Sequence, residues 1–159
     1  MSGERLTIDQ VKPGLALPEL AVDVTATTVV LGAMASRDWR PMHHDKDFAQ
    51  QRNGVRDIFL NTPNIAAWYE RYLTDWSGPT GRLGRMRFRM RESIFPGDRM
   101  VLRGTVEKVE VDELGCAWAE LSLSISVGER LCSDCTARIA LPARPGDNPW
   151  RRRGADWRP

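Results

Sequence analysis

Thr62-Pro63-Asn64-Ile65-Ala66-Ala67-Trp68-Tyr69-Glu70-Arg71-Tyr72-Leu73-Thr74-Asp75-Trp76-Ser77-Gly78-Pro79 is the stretch on which the reading of this chain turns. Thr62 suits a helix N-cap, and Pro63 suits the first helical position, where a missing N–H costs nothing and the fixed φ is already helical. Ile65, Ala66, Trp68, Tyr69, Tyr72, Leu73 and Trp76 then recur at helical spacing. Gly78-Pro79 ends the run. The spacing predicts a helix over 63–76, about 21 Å long at 1.5 Å per residue, aromatic enough to be the buried centre of a domain.

Downstream the period changes from 3.6 to 2. Arg85, Arg87, Arg89 and Arg91 alternate with Met86, Phe88 and Met90, the pattern of a half-buried strand with arginine on its open face. Pro96-Gly97-Asp98 turns into a second strand over 100–111, Glu113-Leu114-Gly115 into a third over 116–127, and Gly128-Glu129 into a fourth over 130–141. Upstream, 20–24 reads as a short strand. The run 25–36 is β-branched at its start and alanine-rich at its end; a helix leading into Asp38 is the preferred reading. Asp45 to Gln51 reads as a short helix capped by Asp45, with Phe48 and Ala49 facing inward. One long helix followed by four antiparallel strands describes an α+β fold, a sheet wrapped round a helix in the hotdog manner. The expected organisation is an irregular lead-in over 1–19, a hotdog domain over 20–142 and a mobile, arginine-rich tail over 143–159.

Composition bounds the function. The 159 residues are enough for one core without staples, and 42% hydrophobic with 28% charged residues is a soluble, globular balance. A net charge of +2 argues against a dedicated nucleic-acid surface, although only Lys12, Lys46 and Lys108 of the 23 basic residues are lysine. No apolar run approaches the roughly 18 residues of a membrane span, so no membrane partner is expected and the cytoplasm is the default location. Cys116, Cys132 and Cys135 are an odd count best read as free thiols. Cys132 and Cys135, three apart on a strand, should face opposite sides, which argues against zinc.

Chemistry concentrates in Asp38-Trp39-Arg40-Pro41-Met42-His43. Pro41 fixes its own φ and pushes Arg40 out of the helical region, so the chain should fold back there. A bend of that kind can aim a carboxylate and an imidazole at one water, which is general acid–base machinery near neutral pH. His44 is expected to be structural and Asp45 a cap.

Asp38, Pro41 and His43, the long helix after them, and Phe95-Pro96-Gly97-Asp98 ahead of a strand together resemble the MaoC-like hotdog family, which includes R-specific enoyl-CoA hydratases; the likeness spans approximately 22–141. Arg40 stands where that family usually has Asn, and Leu60-Asn61 where it usually has His-Gly. The runs Arg37-Asp38-Trp39, His43-His44-Asp45, Asp57 to Asn61 and Tyr72 to Pro79 are similar to the small catalytic subunit of actinobacterial heteromeric hydratases acting on steroid side chains, which shares both departures in kind. The resemblance implies Asp38 and His43 as catalytic pair, and the backbone N–H of Asn61 or Thr62 as oxyanion donor. It implies an acyl-CoA substrate and no cofactor or metal beyond that coenzyme A. It also implies a dimer with itself or with a second MaoC-like protein. Arg85, Arg87, Arg89 and Arg91 are candidates for the coenzyme A phosphates, and Trp68 and Tyr72 for the acyl pocket. The alternatives are a homodimeric hydratase or dehydratase of ordinary fatty acyl-CoA, and a non-catalytic hotdog partner.

Overall fold

The computed structural model describes residues 6–159; the first five residues of the expected lead-in lie outside it. The elements run β1 (Leu20–Asp23), α1 (Ala26–Ala35), α2 (Lys46–Asn53), α3 (Thr62–Ser77), β2 (Arg82–Met90), β3 (Arg99–Val111), β4 (Ala117–Val127) and β5 (Arg130–Leu141). The strands form one antiparallel sheet in the order β1-β3-β4-β5-β2, with α3 against its inner face. This is the expected α+β hotdog.

α3 buries Ile65, Tyr69, Tyr72 and Leu73 against Met100, Leu102, Leu121, Leu123, Ile125 and Ile139 of the sheet. Its N-cap is Asn61 rather than Thr62: the Asn61 side-chain oxygen accepts from the Asn64 N–H at 3.2 Å. α1 is helical as preferred, closed at its start by a reciprocal Thr25–Thr28 capping pair. α2 carries the expected Asp45 cap on the Phe48 N–H.

Phe95-Pro96-Gly97-Asp98 ties three segments together. Asp98 accepts from the Phe95 N–H at 2.9 Å, while Gly97 and Asp98 exchange backbone hydrogen bonds with Val24. One residue before the motif, the Ile94 carbonyl accepts from the Leu60 N–H at 3.0 Å and so fixes the approach to α3.

Two local expectations are corrected. Cys132 and Cys135 both lie in the core, because the β4–β5 register shifts between Ile125 and Ser126 and inserts an extra residue beside Cys132. Both are free thiols, and burial pushes Cys135 up to about 12, far from a nucleophile at neutral pH. The stretch expected to be a mobile tail instead folds onto the outer face of the sheet. Trp157 stacks on Trp118 at 4.9 Å, the Arg82 guanidinium lies 3.6 Å from the Trp157 ring centre, and Arg152 donates to the Leu114 and Gly115 carbonyls. The lead-in is also seated, with Ile8, Val11 and Leu17 buried in the core. Among the described residues no helix is long and apolar enough to cross a membrane.

Candidate active site

α1 ends by a reversal at Arg37, whose φ of 55° is the only left-handed backbone outside glycine among the described residues. The Arg37 N–H bonds to the Met34 carbonyl and the Asp38 N–H to the Ala33 carbonyl, so Asp38 is delivered at the foot of α1 by backbone geometry alone. Pro41 then starts a single tight turn over Pro41–His43 that folds His43 back beneath it. His43 Nε2 lies 3.5 Å from Asp38 Oδ2. The structure brings these two side chains together.

His43 is 2% exposed and locked on its other side: Nδ1 is 2.8 Å from the Phe59 carbonyl oxygen, with the Phe59 ring edge-on at 4.9 Å. A carbonyl oxygen only accepts, so Nδ1 carries a proton and Nε2 is the ring nitrogen turned toward Asp38.

Asp38 is held by two residues. Arg40 grips both oxygens, Nε to Oδ1 at 2.9 Å and Nη2 to Oδ2 at 3.0 Å, while Asn61 Nδ2 donates to Oδ2 at 3.1 Å. The same Asn61 amide donates to Ser36 Oγ at 2.8 Å, so one buried side chain caps α3, fixes the Asp38 carboxylate and binds the end of α1. Sequence reasoning used Asn61 only for its backbone. Its position directly before Thr-Pro was the signal that its side chain would be a cap.

The Arg40 guanidinium holds the Asp38 carboxyl well below the usual carboxylate range; burial opposes this, and the Asn61 donor and His43 reinforce it. The folded value is lowered, so the stabilisation is fully present above the ordinary 3.8 and lost as pH falls through the folded value. Denaturant midpoints measured between about pH 4 and pH 2 should therefore fall more steeply for the wild type than for Asp38→Asn. Equal slopes would show that this carboxylate contributes nothing to acid stability.

At the start of α3, Pro63 has no N–H, the Asn64 N–H is capped, and the Ile65 N–H bonds to the Asn61 carbonyl. The Asn61 and Thr62 N–H groups are left without a protein acceptor among the described hydrogen bonds, at the positive end of a 16-residue helix. Beside them a groove of about 470 Å³ runs between α1 and α3, lined by Leu31, Gly32, Ala35, Ala67 and Trp68. Gly32 is required there: a Cβ would stand 1.9 Å from Asn64 Nδ2.

Other expected site residues are placed elsewhere. Tyr72 is 3% exposed and packs in the core toward Gly104, away from the groove that Trp68 lines. The arginines at 85, 87 and 89 are not brought to the Asp38–His43 pair. Alternation puts Met86 and Phe88 on the helix side and these arginines on the outer face, opposite Arg138, Thr136 and Asp134 of β5. Arg91 is engaged by Asp134 at 2.9 Å. His44 is exposed.

No family model matches the sequence. The chain is 34% identical over 96 residues to the 3-oxo-4,17-pregnadiene-20-carboxyl-CoA hydratase beta subunit of Mycobacterium tuberculosis, spanning 60% of this chain and 74% of that one. This chain belongs to the MaoC-like family of hotdog hydratases. Among solved structures, a chain of the ChsH1–ChsH2 complex of the same organism superposes with a TM-score of 0.75 at 26% identity, over 82% of this chain and 98% of that one. The MaoC-like dehydratase of Rhodospirillum rubrum, at 17% identity, shares the fold with a TM-score of 0.77 over 88% and 99% of the two chains.

Proposed function

We propose that this chain is the catalytic subunit of an enoyl-CoA hydratase for a bulky, steroid side-chain acyl group, and that it works with a second hotdog protein. The observation that carries the chemistry is the bond of His43 Nδ1 to the Phe59 carbonyl, which leaves Nε2 turned toward Asp38 as the nitrogen able to take a proton. A water held between Nε2 and Oδ2 gives its proton to His43 as its oxygen adds to C3 of a trans-2-enoyl thioester. The His43 imidazolium then gives that proton to C2, which returns the ring to its starting state, and the reverse sequence is dehydration. The thioester oxygen gains negative charge in the transition state, and the Asn61 and Thr62 N–H groups are the donors suited to it. Arg40 and Asn61 keep Asp38 an anion fixed in place, so it orients the water and stabilises the imidazolium.

The steroid side-chain substrate and the foreign partner rest on the resemblance to the pregnadiene-carboxyl-CoA hydratase subunit and to the two-protein complex. The α1–α3 groove supports a wide acyl group, since Ala35 and Ala67 leave room that larger side chains would fill. Loss of the enoyl-thioester absorbance, followed with polycyclic and short linear substrates and with or without a second MaoC-like protein, tests the reading. Ala67→Phe should raise KM for the polycyclic substrate by about tenfold or more while leaving crotonyl-CoA turnover within about twofold. Full turnover of short substrates by a homodimer, with no gain from any second hotdog protein, would make this a self-sufficient hydratase of ordinary acyl-CoA.

A further inference from the structure

Arg85, Arg87 and Arg89 stand exposed in one row on the outer face of β2, and none has a carboxylate within ion-pair distance among the described residues. The acidic groups nearby do not answer them. Asp134, opposite Arg89 in register, is taken by Arg91; Glu107 and Glu120 share a groove with Arg85 and Arg87 without closing a pair on either. Arg138, opposite Arg85, is itself a cation and is paired with Glu110 at 2.9 Å.

The row lies on an open edge. β2 is the last strand of the sheet, paired on one side with β5 and unpaired along the other over nine residues, whereas the opposite edge, β1, has four. Unpaired N–H and C=O groups along such a length are a template for another strand. The end of β2 also touches the start of α3, where Thr62 Oγ1 lies 3.1 Å from Met90 Sδ, so a strand added here would run past the Asp38–His43 site.

We propose that the free edge of β2 docks a strand of a different polypeptide whose outer face carries Asp or Glu, and that the arginine row disfavours a second copy of this chain. The proposal rests on the reading of this chain as one member of a two-protein hydratase, and names what selects the partner. The reason lies in strand parity. Directly opposed residues in an antiparallel pair share a face, so the registers that keep the helices of both copies on one side of the joined sheet are the in-phase ones. The fully overlapping one is centred on Met86, the middle of β2, and opposes Arg85 to Arg87 on both sides. Shifting by two residues centres the pair on Arg87, with Arg87 against Arg87 and Arg85 against Arg89, and a further two opposes Arg87 to Arg89. Like charges on directly opposed residues destabilise a strand pair, and an acidic strand in the same place turns each repulsion into an attraction. A foreign strand with carboxylates opposite 85, 87 and 89 is therefore favoured by the same side chains that disfavour self-pairing.

The chain can serve as its own acidic probe. The triple variant Arg85→Glu, Arg87→Glu, Arg89→Glu is mixed in equal amounts with the wild type and association is measured by sedimentation velocity across a sodium chloride series. At low salt the mixture should associate at least about tenfold more tightly than either protein alone, a gap that closes as salt screens the charges. Wild-type self-association should tighten with salt. The neutral variant Arg85→Gln, Arg87→Gln, Arg89→Gln, checked for folding by circular dichroism, should self-associate more tightly than wild type at low salt. A mixture no tighter than the separate proteins, or self-association indifferent to salt and to the glutamine substitutions, would overturn the proposal. Neither readout depends on turnover, so either failure would leave the hydratase reading to stand or fall on its own assay.

Discussion

His43→Ala and Asp38→Asn are each expected to lower the hydration rate by at least about a hundredfold, the usual contribution of a positioned acid–base group. The two should fail in different ways. His43→Ala removes the proposed proton acceptor, and Asp38 is poorly suited to replace it because Arg40 and Asn61 hold its carboxyl well below the usual range. It also opens a cavity in a site where the ring is buried against Phe59, so circular dichroism and a melting curve must accompany the rate. Asp38→Asn keeps the volume. It removes the anion opposite Nε2, faces the Asn61 amide with another amide, and leaves Arg40, which is exposed, free to turn to solvent. Wild-type rates in both correctly folded variants would remove the pair from the mechanism. His44→Ala should stay close to wild type, since that side chain is exposed. A comparable loss there would mean that the wrong one of the two adjacent histidines had been assigned.

How legible the chain was depends on how local each signal is. α3 could be read because its punctuation and its apolar spacing lie within 18 residues, and the four long strands because alternation is a property of each strand by itself. Asp38 and His43 could be paired because Pro41 between them restricts both itself and Arg40. What escaped was non-local. The bulge that turns Cys132 inward belongs to the pairing of β5 with β4, not to the sequence of β5. Asn61 acquires its bonds to Asp38 and Ser36 only when α1 lies across α3, an approach that depends on Gly32 having no side chain. The arginine row was visible as an alternating pattern, but which face of β2 it occupied relative to the active site required the sheet order. The end of the chain was misread because its proline and arginine content resembles a solvated tail. Trp150 and Trp157 were the contrary signal: Trp157 stacks on Trp118, and Trp150, though exposed, donates its indole N–H to the Gly81 carbonyl at 3.1 Å.

Those tryptophans lead to the largest expected loss of stability. Trp118 is completely buried on the outer side of β4, an unusual position for the largest side chain in a sheet whose other face holds the core. It is covered by Trp157 and by the Arg138 guanidinium, 4.4 Å from its ring centre, and approached closely by the backbone at Gly84. Its indole N–H donates to Asp112 Oδ2 at 2.9 Å, and Asp112 in turn receives the Leu114 and Cys116 N–H groups of the β3–β4 turn. Trp118→Ala should therefore cost about 3–5 kcal/mol, the range for emptying a buried tryptophan site. In a chain of this size that lowers Tm by on the order of 10 °C. Trp118→Phe keeps most of the ring and loses the N–H, so its cost should be nearer about 1.5–3 kcal/mol, the worth of a hydrogen bond to a charged group. The tail supplies an independent readout. With Trp118 gone, Trp157 loses the ring it stacks on, and trypsin should cut at Arg151, Arg152 or Arg153 far faster than in the wild type. Hydration should survive at temperatures below the new melting point, because the Asp38–His43 pair lies on the other side of the sheet, beside α3. If Trp118→Ala melted with the wild type and its tail stayed resistant to trypsin, the C-terminal segment would be held by Arg82 and Arg152 alone, and the tryptophan stack would be a consequence of its docking rather than a cause.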